Sequence, residues 1–147
     1  MNFWKDSVLI TCIIAWFAAQ LIKVISVLIK NKKLDFRRFI GSGGMPSSHT
    51  SFVTSLAAGV GMECGFSSAE FAISTVLALV VMYDAAGIRR AAGQQAKILN
   101  KLIEEWGNAD FTATDKRLKE LLGHTPKEVF AGAILGVFVA LVRHLWF

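Results

Sequence analysis

Cysteine, proline and tyrosine are nearly missing from this chain, at two, two and one of 147 residues. The two cysteines, Cys12 and Cys64, both fall within apolar stretches, which argues against the disulfide framework that staples small secreted domains. No Cys and His cluster has metal-ligand spacing, and neither an internal repeat nor a low-complexity tract is present. Charge is scarce too: 18% of residues are charged against 54% hydrophobic, a balance suited to a membrane protein rather than a water-soluble domain.

The hydrophobic residues are gathered into runs. A bilayer core of about 30 Å needs roughly 20 apolar residues in a helix, because backbone polar groups in lipid must be satisfied internally. Val8 to Ile29, Ala69 to about Ile88, and Val129 to Phe147 meet or approach that length. Thr50 to Phe66 is shorter and carries Gly59, Gly61 and Gly65, which fits a helix packed inside a bundle, where small residues allow close approach. The expected fold is therefore all-α: an integral membrane bundle of about four transmembrane helices (8–29, 50–66, 69–88, 129–147) in one domain covering 1–147. A secretory signal peptide competes for the first run, since Lys5 precedes an apolar stretch that reaches small residues at Ala18 and Ala19. The apolar pattern runs about ten residues further, which suits an anchored helix better.

Charge between the runs predicts orientation. Lys30 to Met45 holds five cations (Lys30, Lys32, Lys33, Arg37, Arg38) against one acid, Asp35. The stretch from Ile88 to Lys127 holds eight cations against five acids, whereas the turn from Met62 to Glu70 has only Glu63 and Glu70. Cationic loops stay in the cytoplasm, so the first and third connections are expected there. Attraction to anionic headgroups accounts for this charge without a nucleic-acid partner. Within the third connection, Ile98, Leu99, Leu102, Ile103 and Trp106 recur at helical spacing among Lys97, Lys101, Glu104 and Glu105, predicting a cytoplasmic amphipathic helix at the interface. A short helix over Asp115 to Leu122, ended by Gly123, is also expected.

Chemistry concentrates in two places. Gly41-Ser-Gly-Gly-Met-Pro-Ser-Ser-His49 places glycines, including Gly44, before Ser47, Ser48 and His49 at a helix start, a backbone able to curl around an anion. Ser47 or Ser48 would equally serve as an ordinary N-cap. His49 stands where an imidazole can exchange a proton with a bound anion. Gly123-His-Thr-Pro-Lys-Glu-Val129 contains a capping box, Thr125 with Glu128, behind Pro126 at the first helical position. Glu128 also lies four residues after His124, where a carboxylate can accept the ring N–H and leave the opposite nitrogen nucleophilic.

Pro46-Ser-Ser-His49 resembles the Pro-Ser-Gly-His motif of the type 2 phosphatidic acid phosphatases, a superfamily that includes bacterial acid phosphatases and vanadium haloperoxidases. His124 with Glu128 resembles its His-x3-Asp motif. The order and spacing of Gly-Gly-Met-Pro-Ser-Ser-His-Thr, Tyr83-Asp-Ala-Ala-Gly-Ile-Arg89-Arg90 and Gly123-His-Thr-Pro-Lys-Glu128 are similar to a divergent bacterial and plant branch of that superfamily, over nearly the whole chain. The resemblance implies that His124 attacks phosphorus, Glu128 orients it, and His49 protonates the leaving oxygen. Lys23 and Lys30 have the spacing of the superfamily's Lys-x6-Arg-Pro motif, but end in Lys30-Asn31 where that motif has Arg-Pro. Position 118 is Leu where the superfamily places an arginine, so Arg89 or Arg90 would substitute, supported by Asp84. Lys23 could instead snorkel to the interface, and Arg89 and Arg90 could be inner-leaflet anchors.

By this reading all these residues lie at the cytoplasmic ends of the helices, at headgroup depth. The implied activity is hydrolysis of a lipid phosphate (phosphatidylglycerophosphate, phosphatidate or a polyprenyl diphosphate) through a phosphohistidine and without a cofactor, in a multi-pass protein of the bacterial plasma membrane. Self-association into a homo-oligomer is compatible with this. The alternatives are a Mg2+-type site built from His124, Glu128, His49 and Asp84, and a catalytically silent lipid-binding scaffold.

Overall fold

The computed structural model of the protein describes residues 8–31, 44–106 and 123–146, and every regular element among them is an α-helix. They are α1 (Val8–Asn31), α2 (Ser48–Cys64), α3 (Ala69–Ala86), α4 (Ile88–Trp106) and α5 (Pro126–Trp146). The expected helix at Asp115 to Leu122 lies outside the described residues, as do residues 32–43 and the side chains of Lys30 and Arg89.

Three helical stretches are long and apolar enough to cross a membrane: Val8–Ile29, Ala69–Ile103 and Pro126–Trp146. The 17 residues of α2 extend about 25 Å at 1.5 Å each, short of a full hydrocarbon core. Its position explains how a short helix is accommodated, since α2 packs against α1, α3 and α5 and forms the centre of the bundle.

Residue size is distributed as the membrane environment requires. The interior is built from small residues, among them Cys12, Ala15 and Ala19 of α1, Ser51 and Ser55 of α2, Ala78 of α3, and Gly132, Gly136 and Ala140 of α5. Large apolar side chains such as Phe17, Ile73, Val76, Val80 and Phe138 are exposed. Lipid tails solvate Leu and Phe as well as a protein core does, so helix association rests on close van der Waals approach and satisfied hydroxyls. Thr54 Oγ1 accordingly donates to the Thr50 carbonyl at 2.8 Å, and Ser51 Oγ to the Ala15 carbonyl on α1 at 3.1 Å.

The closest seam joins α2 to α5. A Cβ at Gly132 would collide with the Ser47 carbonyl oxygen, and one at Gly136 with Thr54 Oγ1 and the Ser51 carbonyl oxygen. This Gly-x3-Gly pair is a small-residue contact of the membrane-helix kind, and it fixes α5 along and against α2.

Helix ends follow local signals. Ser68 caps α3, accepting from the Phe71 N–H at 3.1 Å, and Gly65 supplies the left-handed φ of +92° after α2. Where a linker was expected after Ile88, α4 begins directly. Gly87 interrupts the helix, but its N–H still reaches the Tyr83 carbonyl at 2.8 Å, so the turn closes without a loop. The helix α4 is amphipathic as expected, adjoins α3 through the Gly87 turn, and leaves Ile98, Leu99, Leu102 and Ile103 exposed.

Candidate functional site

The site is built where α5 begins. Thr125 and Glu128 cap that helix reciprocally: the Thr125 N–H donates to Glu128 Oε2 at 3.0 Å, and the Glu128 N–H reaches Thr125 Oγ1 at 3.4 Å. The same Oε2 lies 3.1 Å from His124 Nδ1. A carboxylate has no proton to give, so Nδ1 is the donor, and in the neutral ring the lone pair is then on Nε2. Cap and ring support, which compete for Glu128 in the sequence, thus coexist on one oxygen. The His124 side chain is buried, with the residue only 4% exposed.

Main-chain bonds gather the neighbouring helix ends around this pair. The Ser47 N–H donates to the Glu128 carbonyl at 3.0 Å, and the His124 N–H to the Ala85 carbonyl at 3.1 Å. A side-chain bond brings in α1, where Lys23 Nζ donates to Ser48 Oγ at 3.3 Å. The ends of α2, α3 and α5 and the C-terminal half of α1 therefore meet at one end of the bundle, as expected from the chain topology.

Lys23 is 4% exposed and turns inward from a membrane-spanning helix rather than along the surface. A buried ammonium is costly in that setting unless partnered, and its partners are Ser48 and the attractive charge of Glu128. Gly44, at φ +87°, lets the incoming loop pass Lys23, with a notional Cβ only 4.0 Å from Lys23 Cγ. Ser47 serves as the N-cap of α2: its Oγ accepts from the Thr50 N–H at 3.4 Å and from Thr50 Oγ1 at 3.0 Å. Both its N–H and its hydroxyl are thereby engaged in framing the site, which leaves the hydroxyl of Ser48 as the nearer polar group to Lys23.

The other predicted residues are more exposed. His49 follows Ser48 on the first turn of α2 with its side chain exposed. Asp84 is half-buried beside Ala85, and Arg90 is exposed on α4. The proposed metal set is not assembled, because among the described residues no three His, Cys, Asp or Glu side chains gather closely enough to hold an ion. What sequence reading missed is the pair Gly132 and Gly136, whose spacing on an apolar helix was the available signal.

A buried imidazole held by Glu128, an ammonium that feels the same carboxylate and bonds to a buried hydroxyl, and a helix start whose first N–H groups lack intrahelical acceptors form a set suited to a tetrahedral oxyanion. Next to it, α1 and α5 border a groove of about 830 Å³, headed by Gly44, Met45, Pro46 and Glu128.

Comparison with known proteins gives two findings. The family model described as "Divergent PAP2 family" matches residues 4–139. The uncharacterized membrane protein YuiD of Bacillus subtilis (strain 168) is 42% identical over 157 residues, spanning 100% of this chain and 99% of its own. No solved structure matches the chain significantly.

Proposed function

The chain belongs to the divergent PAP2 family, and from that premise we propose that it is a lipid phosphate phosphatase working at the cytoplasmic membrane surface. The observation that carries this reading is the contact of His124 Nδ1 with Glu128 Oε2, made within a buried site that also holds Lys23 and Ser48. In this mechanism His124 Nε2 attacks phosphorus and the P–O bond to the lipid breaks. His49 gives its proton to the departing oxygen and then takes one from the water that hydrolyses the phosphohistidine. Lys23, Ser48 and the α2 N-terminus stabilise the equatorial oxygens, a role in which preorganised donors contribute several kcal/mol. Arg89 and Arg90, just past Gly87, are the cations available where the superfamily's arginine is replaced by Leu118. Phosphatidylglycerophosphate, phosphatidate and polyprenyl diphosphates are the candidate substrates, each presenting phosphate at headgroup depth.

A panel of these lipids with purified protein tests the reading through release of inorganic phosphate. Vanadate, which adopts the five-coordinate geometry of phosphoryl transfer, should inhibit. His124→Ala should lower turnover by about 10⁴ or more, the scale seen when a member of a nucleophilic triad is lost. Lipid binding without phosphate release from any substrate would favour the scaffold reading, toward which Leu118 and the exposed His49 point.

A further inference from the structure

The groove beside the site has a shape that the phosphate chemistry alone does not explain. Its long wall is α5, through Ala131, Ile134, Leu135 and Phe138, and its other wall is the end of α1, through Ile22, Ser26 and Val27. The Ser26 hydroxyl is turned back to the Ile22 carbonyl at 2.7 Å, so below its head the groove offers an apolar surface. Gly44 and Glu128 belong both to the groove and to the site, making the two spaces continuous.

Its depth is the decisive measure. Glu128 and Phe138 are ten residues apart on α5, about 15 Å of helix, which is half of a hydrocarbon core of roughly 30 Å. The groove therefore runs from the polar end of the bundle over a length that matches one leaflet along α5, and over about half of that along α1, from Val27 to Ile22. Its lip is open sideways, since Ile134 and Phe138 are more than half exposed. A volume of about 830 Å³ lies within the range of small-molecule sites, roughly 300–1,000 Å³.

We propose that this groove holds one hydrocarbon chain of a lipid whose phosphomonoester lies against His124, Lys23 and Ser48, so that substrate is drawn sideways from the leaflet on the side of the site. The proposal rests on the phosphatase reading for the headgroup and on the groove geometry for the chain. Lys23 supplies the charge complementarity that selects a phosphomonoester over a zwitterionic phosphodiester, and the α5 wall sets how long a chain is accommodated.

The test uses full-length protein in nanodiscs with a phosphatidic acid carrying a diazirine midway along one chain. After irradiation, adducts should concentrate on residues 131–138 and be competed by unlabelled phosphatidic acid but not by phosphatidylcholine. Leu135→Trp, which fills the groove from its wall, should lower that labelling by about tenfold, the discrimination a few methylenes supply in an apolar slot. Equal labelling of the lipid-facing residues Ile73, Val76 and Val80, or equal competition by phosphatidylcholine, would overturn the proposal and leave only annular lipid. The readout needs no turnover. Groove labelling with no phosphate release would remove the phosphatase reading and keep the groove, and phosphate release with evenly spread labelling would do the reverse.

Discussion

On one face of α5, Gly132 and Gly136 bring the helix so near α2 that no side chain fits between them, while on the other Ala131, Ile134, Leu135 and Phe138 stand off from α1 around a groove of about 830 Å³. Both faces begin at Glu128, whose carbonyl accepts from Ser47 on the seam side and whose carboxylate meets His124. The contrast separates two tasks. The seam fixes α5 against α2, and the open face leaves room for something to be bound.

The sharpest way to break the contrast is to give the seam a side chain. Gly136→Leu should force α5 off Thr54 and Ser51, costing about 1–3 kcal/mol or more as overpacking does, and abolish the monodisperse folded species in size-exclusion chromatography. Ile134→Ala on the open face should leave the chromatographic profile intact, so equal damage from the two would erase the distinction.

At the head of both faces, Glu128→Gln should lower phosphate release by about a thousandfold, because an amide orients an imidazole poorly. Thermal stability should hold within about 0.5 kcal/mol, since Gln also closes a capping box. Near-normal activity would leave Glu128 as a cap alone.

A smaller effect is expected of Lys23→Met, which keeps the stem and removes the charge. Loss of the phosphate contact should reduce kcat/KM by about a hundredfold, within the range for one preorganised donor. Stability should stay level or rise, because a well-packed apolar side chain replaces a buried ion. A marked drop in melting temperature would show that the ammonium holds the helices together instead.

The smallest is Ile134→Val on the groove wall. At a position 57% exposed it should change stability by less than about 0.5 kcal/mol and leave phosphate release from a short-chain lipid phosphate within twofold. A large loss of stability would mean that α1 closes on α5 more tightly than the groove allows.

Much of this arrangement was legible in the sequence because it is local. The apolar runs foretold the long helices, Thr125-x2-Glu128 the start of α5, and the loop charges that the helix ends carrying His49, Asp84 and His124 share one side with Lys23. The Gly-x3-Gly seam was missed although its spacing stands in the sequence, and a pair of glycines in an apolar run does not say which helix it will meet. Less legible was the direction of side chains. The inward turn of Lys23 depends on Ser48, 25 positions away, and the outward placement of His49 depends on the rotation of α2 against its neighbours. The groove could not be read at all, since it is a space between α1 and α5 set by the separation of two backbones.

The bonds from the Ser47 N–H to the Glu128 carbonyl and from the His124 N–H to the Ala85 carbonyl run between main-chain atoms, with no side chain on either end. Alanine scanning is blind to them, because every amino acid except proline carries the same donor. The frame of the site is thus written in a part of the chain that mutation barely touches. Such a frame fixes where the ends of α2, α3 and α5 meet, whatever side chains those positions carry. Proline at Ser47 or at His124 is the substitution that would cut the frame itself.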